Sequence, residues 1–131
     1  MIDRKDEYTI SAGGVKLTFL FYDFPVVAKK CLDDVIKFPD LLTLAAMKAY
    51  EFGRRAKWKD YVDLCFILNG GHSLAQISAR AKKIFGAEFN EKIFREQLSY
   101  FNDIDYSEKV DYLPGFAVDE SEVRKALAEQ I

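Results

Sequence analysis

The sequence predicts an α+β fold, a β-hairpin or small sheet packed with about five α-helices. Two observations carry that reading. Residues 8–11 and 15–22 are rich in Val, Thr, Phe and Tyr, and Gly13-Gly14 separates them as a hairpin turn would. From Asp40 onward the chain breaks into apolar segments of helical spacing, several opened by a capping residue. Half of the residues are hydrophobic and 15% are aromatic, enough for a real core and too many for disorder. At 131 residues the chain reads as a single domain, 1–131, with strands in about 8–27 and a helical region in about 40–131.

The elements follow in order. The run 15–22 is almost continuously apolar, so both its faces are expected to be covered. Pro25 ends it. Residues 26–39 read as a short strand or loop with a helical turn near Leu32–Ile36. Asp40 caps a first helix, "LLTLAAMKAYEFGRR", whose alanines and leucines favour that state. A break at Gly53–Lys57 precedes a second helix, Asp60 to about Leu68, which "NGG" ends in a left-handed cap. Ser73 with Gln76 forms a capping box for a third helix to about Phe85. Its inner face is Leu74, Ile77, Ala81, Ile84 and Phe85. Asn90 caps a fourth helix to about Asn102, and Asp119 with Glu122 caps a last one running to the C-terminus. The stretch "DIDYSEKVDYLPGFAV" between them reads as a loop, with room for a short extended piece. A two-stranded hairpin alone is marginal, so these strands want neighbours, either the helices or strands missing from this chain.

Composition narrows the function classes. A net charge of −2 with both signs mixed gives no global field of the nucleic-acid-binding kind. No apolar run approaches the roughly 20 residues of a membrane span, and "MIDRKDEYTI" is too charged for a signal peptide. Cys31 and Cys65 lie in no metal or redox spacing and read as free thiols of a reducing cytoplasm. His72, in "NGGHS", reads as an ordinary loop histidine.

The polar residues that interrupt the helices are the candidates for chemistry. Asp60 and Asp63 are three apart, so they share a face of the second helix with Leu64 and Ile67 beside them. Asp60 has a first-turn role available, satisfying N–H groups and the helix dipole. Asp63 has no such excuse, and a carboxylate buried alone there costs several kcal/mol. On the preceding helix Lys48 borders an apolar arc of Leu41, Ala45, Ala49 and Phe52, with Glu51 and Arg55 beside it as in an ordinary surface ladder. Lys48, Arg54, Arg55, Lys57 and Lys59 crowd the corner ahead of the second helix. Such a corner either holds an anion or forms a structural ion-pair network.

The order of these features resembles a known family. "GGVKLTFLFYDFP", "DLLTLAAMKAYEFGRRAKWKDYVDLCFIL", "SLAQISARAKKIF" and "QLSYFNDID" are similar to the C-terminal two-thirds of the AbiEii/AbiGii-type nucleotidyltransferase toxins. The resemblance runs from about Gly13 to Asp105. Its most specific part is Ala46-Met47-Lys48, a basic turn with Arg54, and Lys59-Asp60-Tyr61-Val62-Asp63-Leu64. It implies a polymerase-β-like nucleotidyltransferase of a type IV toxin–antitoxin system, with NTP and Mg²⁺ as cofactors. Lys48 would contact nucleotide phosphate, and Arg54 and Lys59 would add positive charge. Asp60 and Asp63 would accept a proton, orient a lysine or help hold metal.

The chain departs from the family at the metal. No Gly-Ser or Gly-Gly followed by an Asp-x-Asp strand precedes the hairpin, and Asp103-Ile104-Asp105 matches the family's later "YF-D" region instead. No metal ligands are therefore assigned. Nucleotidyl transfer needs carboxylate-held divalent ions, so three expectations stand. One is the phosphate-binding half of an enzyme, completed by an N-terminal half chain and acting on an RNA or protein acceptor. The second is a catalytically inactive remnant that binds an antitoxin or forms a homo-oligomer through strand edges. The third is an RNA-binding module that uses the Arg54–Lys59 corner, with Tyr50 and Trp58 as stacking groups.

Overall fold

The computed structural model describes residues 2–3 and 6–131. Three strands, β1 (Ile2–Asp3), β2 (Glu7–Ala12) and β3 (Val15–Leu20), form an antiparallel sheet in the order β1-β2-β3. β4 (Lys30–Leu32) and β5 (Ile36–Phe38) form a separate antiparallel hairpin. Five helices follow: α1 (Leu41–Glu51), α2 (Trp58–Asn69), α3 (Leu74–Phe85), α4 (Glu91–Ser99) and α5 (Glu120–Ala128). The α+β class expected from sequence is what the chain adopts.

The strands are local constructions. Gly13 and Gly14 take φ of 59° and 78°, so the two-residue loop between Ala12 and Val15 matches the twist of the strands. In the second hairpin Asp33 and Asp34 take φ of 51° and 55°, and Val35 N–H donates to the Leu32 carbonyl at 3.0 Å. Aspartate tolerates this left-handed region better than most residues. The turn is therefore a β-turn between two strands, not the helical turn expected at Leu32–Ile36.

The helices hold the core. Ala45, Ala46 and Ala49 are fully enclosed on α1, and their small side chains let it run along Ile77 and Ala81 of α3. Tyr61 and Leu64 of α2 meet Phe94 and Leu98 of α4 and Val123 and Leu127 of α5, all within 1% of complete burial. Between the hairpins the chain crosses the α1–α3 pair in an extended conformation. Tyr22, Phe24 and Val26 pack inward there. Phe24 wedges against Tyr50 and Phe85, whose rings stack at 4.1 Å and 7°.

β2 to β5 supply no residue to this hydrophobic core. Every residue of β3, β4 and β5 is exposed, Phe19 at 61%. No strand is among the elements packed substantially on a helix. Tyr8, Ile10 and Ala12 pair across to Phe19, Leu17 and Val15, so one face of the sheet is apolar. The other face carries Thr9 and Thr18, whose hydroxyls share a hydrogen bond of 3.0 Å. The expectation that both faces of 15–22 are covered is overturned for β3, and only Tyr22 at the end of the run packs on the helices. The apolar run of β3 signals a demand for burial that no helix among the described residues meets.

The caps divide. Asp40, Ser73 with Gln76, and Asn90 accept N–H bonds as expected, and Gly71, at φ 107°, closes α2. Asp119 precedes α5 but makes no side-chain cap bond. α1 stops at Glu51 and not at Arg55, α4 stops at Ser99 short of Asn102, and α5 stops at Ala128. α2 begins at Trp58, two residues ahead of Asp60. Its start is fixed from outside, because Trp58 N–H donates to the Asp105 carbonyl at 3.0 Å and Asp105 N–H to Ala56 at 2.7 Å. Among the described residues no helix is long and apolar enough to cross a membrane. Cys31 lies exposed in β4, and Cys65 is buried in α2, where burial raises its thiol pKa.

Candidate functional site

Lys48 stands in the last turn of α1, where the carbonyl end of the helix favours a cation. Its ammonium lies 3.0 Å from Asp60 Oδ1 and 2.8 Å from Asp63 Oδ2, both presented by the first two turns of α2. Arg55, on the turn between the helices, brings Nη2 to 3.4 Å from Asp60 Oδ2 and Nε to 3.9 Å from Glu51. Two helices and their connecting turn thus converge on one charge cluster.

The two aspartates have exchanged the roles expected of them. Asp60 is the enclosed one, 3% exposed, and the side chain of Asp63 is about half exposed at 51%. Asp60 does not cap α2. Lys57 occupies the N-cap without a side-chain bond. A carboxylate enclosed like Asp60 is tolerated only when compensated, and Lys48 is its hydrogen-bonded partner. The Oδ2 oxygen makes no hydrogen bond, and Arg55 stands beside it as a charge only. Burial works against the Lys48 ammonium, but the hydrogen bonds from it to Asp63 and Asp60 and their charges outweigh this. Its pKa therefore lies above the ordinary lysine value.

The other two sequence candidates are elsewhere. Arg54 lies over the Tyr50 ring at 4.6 Å and donates to the Tyr50 hydroxyl. Lys59 and Lys57 both pair with Glu108, from the loop before α5, and the two lysines hold that carboxyl down at about 2. Neither Arg54 nor Lys59 points its charge at Lys48, and Arg55, read from sequence as part of a surface ladder, keeps Glu51 as a partner and also joins the cluster. Tyr50 and Trp58 are also unsuited to stack bases. Tyr50 is sealed against Phe85, and Trp58 lies between Tyr61 and Tyr106. Asp105 spends its carboxylate on the Ser107 N–H at 2.8 Å and its backbone on the α2 bridge.

In charge the cluster is balanced, with Lys48 and Arg55 set against Asp60 and Asp63. An ammonium has three donors, and Asp60 and Asp63 engage two, leaving one for a ligand oxygen. A divalent cation would compete with Lys48 for both carboxylates. Among the described residues no group of three or more His, Cys, Asp or Glu side chains is gathered to hold one. No family model, curated protein or solved structure matches the chain.

Proposed function

We propose that this chain is the nucleotide-side portion of a nucleotidyltransferase-like toxin-family protein, with the α1–α2 corner receiving the phosphates of an NTP. The observation that carries the reading is the Lys48–Asp60–Asp63 cluster, formed from the residues that carry the family resemblance. Asp60, fixed in the core, anchors the lysine, and Asp63, half exposed, is the partner that can swing away as a phosphate oxygen arrives. Arg55 adds a second cation within reach of solvent. The residues present do not fit Mg²⁺, so the Asp-x-Asp element that family chemistry requires would come from another polypeptide segment. The corner then binds and orients, and does not complete the transfer by itself.

A second reading has its own observation. The uncovered apolar strands support an inactive remnant that serves as a protein-interaction or antitoxin-binding module. Calorimetric titration with ATP, GTP, CTP and UTP, on the native chain and on Lys48→Ala, separates the two. Heat from at least one nucleotide, lost in the variant, supports the nucleotide site. No heat from either protein removes it and leaves the interaction module.

A further inference from the structure

We propose that a cleft on the other side of α1 is a site for a small phosphate-bearing molecule, independent of the Lys48 corner. The cleft encloses about 300 Å³ between the extended segment ahead of β4, the start of α1 and the last turns of α3. That is the lower end of the volume of small-molecule sites. Its walls carry Lys29, Arg80 and Lys83 against a single carboxylate, Asp40. Two positive charges are thus left over, matching a phosphomonoester dianion.

The three cations are differently placed. Arg80 is fixed, with Nη1 donating to Thr43 Oγ1 at 2.7 Å and lying 3.5 Å from Asp40. Its Nε and Nη2 have no partner among the described residues, so part of the planar fork remains for a bidentate contact with phosphate. Lys29 and Lys83 are exposed and make no ion pair among the described residues. This is the reverse of the Lys48 corner, where two carboxylates already answer the lysine. Asp40 is occupied by the Thr43 N–H at 2.8 Å, so the attraction comes from side chains and not from a free helix end. Pro25, Val27 and Ile84 give the cleft an apolar wall. Along this segment Tyr22, Phe24 and Val26 face the core while Pro25 and Val27 line the cleft, so the extended backbone itself builds the wall. Charge at one end and an apolar wall at the other suit a phosphate ester with an organic remainder better than a bare anion.

The test is a titration of the ¹⁵N-labelled chain with AMP and with inorganic phosphate, followed by amide shifts. AMP is expected to shift residues around Lys29, Thr43, Arg80 and Lys83, with inorganic phosphate binding at least about tenfold more weakly. In Lys29→Gln/Lys83→Gln, two exposed positions whose change leaves the fold intact, AMP affinity is expected to fall about tenfold or more. Arg80→Lys keeps the charge and loses the fork, and a several-fold loss is expected there. The corner reports through its own amides, around Lys48, Asp60 and Asp63, so failure at the corner and failure at the cleft read separately. Shifts confined to the α1–α2 corner, no shifts at all, equal affinity for AMP and phosphate, or unchanged affinity in the double variant would each overturn the assignment.

Discussion

The helical body and the N-terminal strands obey opposite rules. In the body, apolar side chains are buried against one another, and the enclosed acid Asp60 is answered by a lysine. In the strands, β2 and β3 pair along their whole length while Val15, Leu17, Phe19 and Leu20 remain exposed. The difference teaches that hydrogen bonding and turn chemistry are enough to shape a hairpin, whereas burial decides what carries the stability.

The largest effect expected from that contrast lies in the core. Phe94→Ala should cost about 3–5 kcal/mol, since the ring is fully enclosed between Phe52 and Phe89. Phe19→Ala, a truncation of the same ring, should stay within about 0.5 kcal/mol. Urea unfolding of both variants measures the gap. Equal losses would mean that the strands are packed in solution.

Next comes the charge cluster. Asp60→Ala leaves Lys48 half-buried with only the exposed Asp63, and about 3 kcal/mol should be lost. Lys48→Met combined with Asp60→Leu replaces the pair by apolar side chains, and most of that loss should be recovered. The same unfolding experiment reads both. A double variant as weak as the single would show that the pair contributes more than mutual compensation.

A third effect appears only in alkali. Burial, with a smaller contribution from the Asp103 charge, pushes the Tyr61 hydroxyl up to about 12, against about 10 in an unfolded chain. Tyr22 rises to about 12 for the same first cause. The folded state keeps these protons after the unfolded state has begun to release them. Stability is thus insensitive to these groups below about pH 10 and falls as pH rises toward 12, by roughly 2–3 kcal/mol for Tyr61. Lys48, also raised, loses its contribution in the upper part of the same range. Guanidine midpoints at a series of pH values, for the native chain and Tyr61→Phe, should show a shallower alkaline decline in the variant.

The smallest expected effect is at the surface. Glu108→Gln removes the partner of Lys57 and Lys59, yet exposed pairs contribute little. The thermal midpoint should not move measurably, while the released lysines should make nonspecific retention on a phosphate resin stronger.

Much of the helical body was legible because its signals are local. Ser73 with Gln76 and Asn90 announce their helices within three residues, and the inner face of α3 follows from spacing alone. The start of α2 was not legible, because its fixing contact is the Asp105 backbone, distant in sequence. The same limit hid Glu108, which draws Lys59 away from the corner where sequence placed it. Arg54 and Arg55 are neighbours in sequence that project in different directions, and only the geometry of the turn decides which one meets Asp60. The apolar run of β3 stated correctly that burial is wanted, but a one-dimensional pattern does not say who provides it.

The two thiols make that last question measurable. Cys31 sits in the open on β4, and Cys65 is shut inside α2. A bulky maleimide added to the native chain should therefore attach once, at Cys31, and reach Cys65 only after unfolding. The labelling rate at Cys31 then becomes a clock for cover over this hairpin. Any partner that settles on β4 and β5 will slow it, while one that engages only the helices will leave it running.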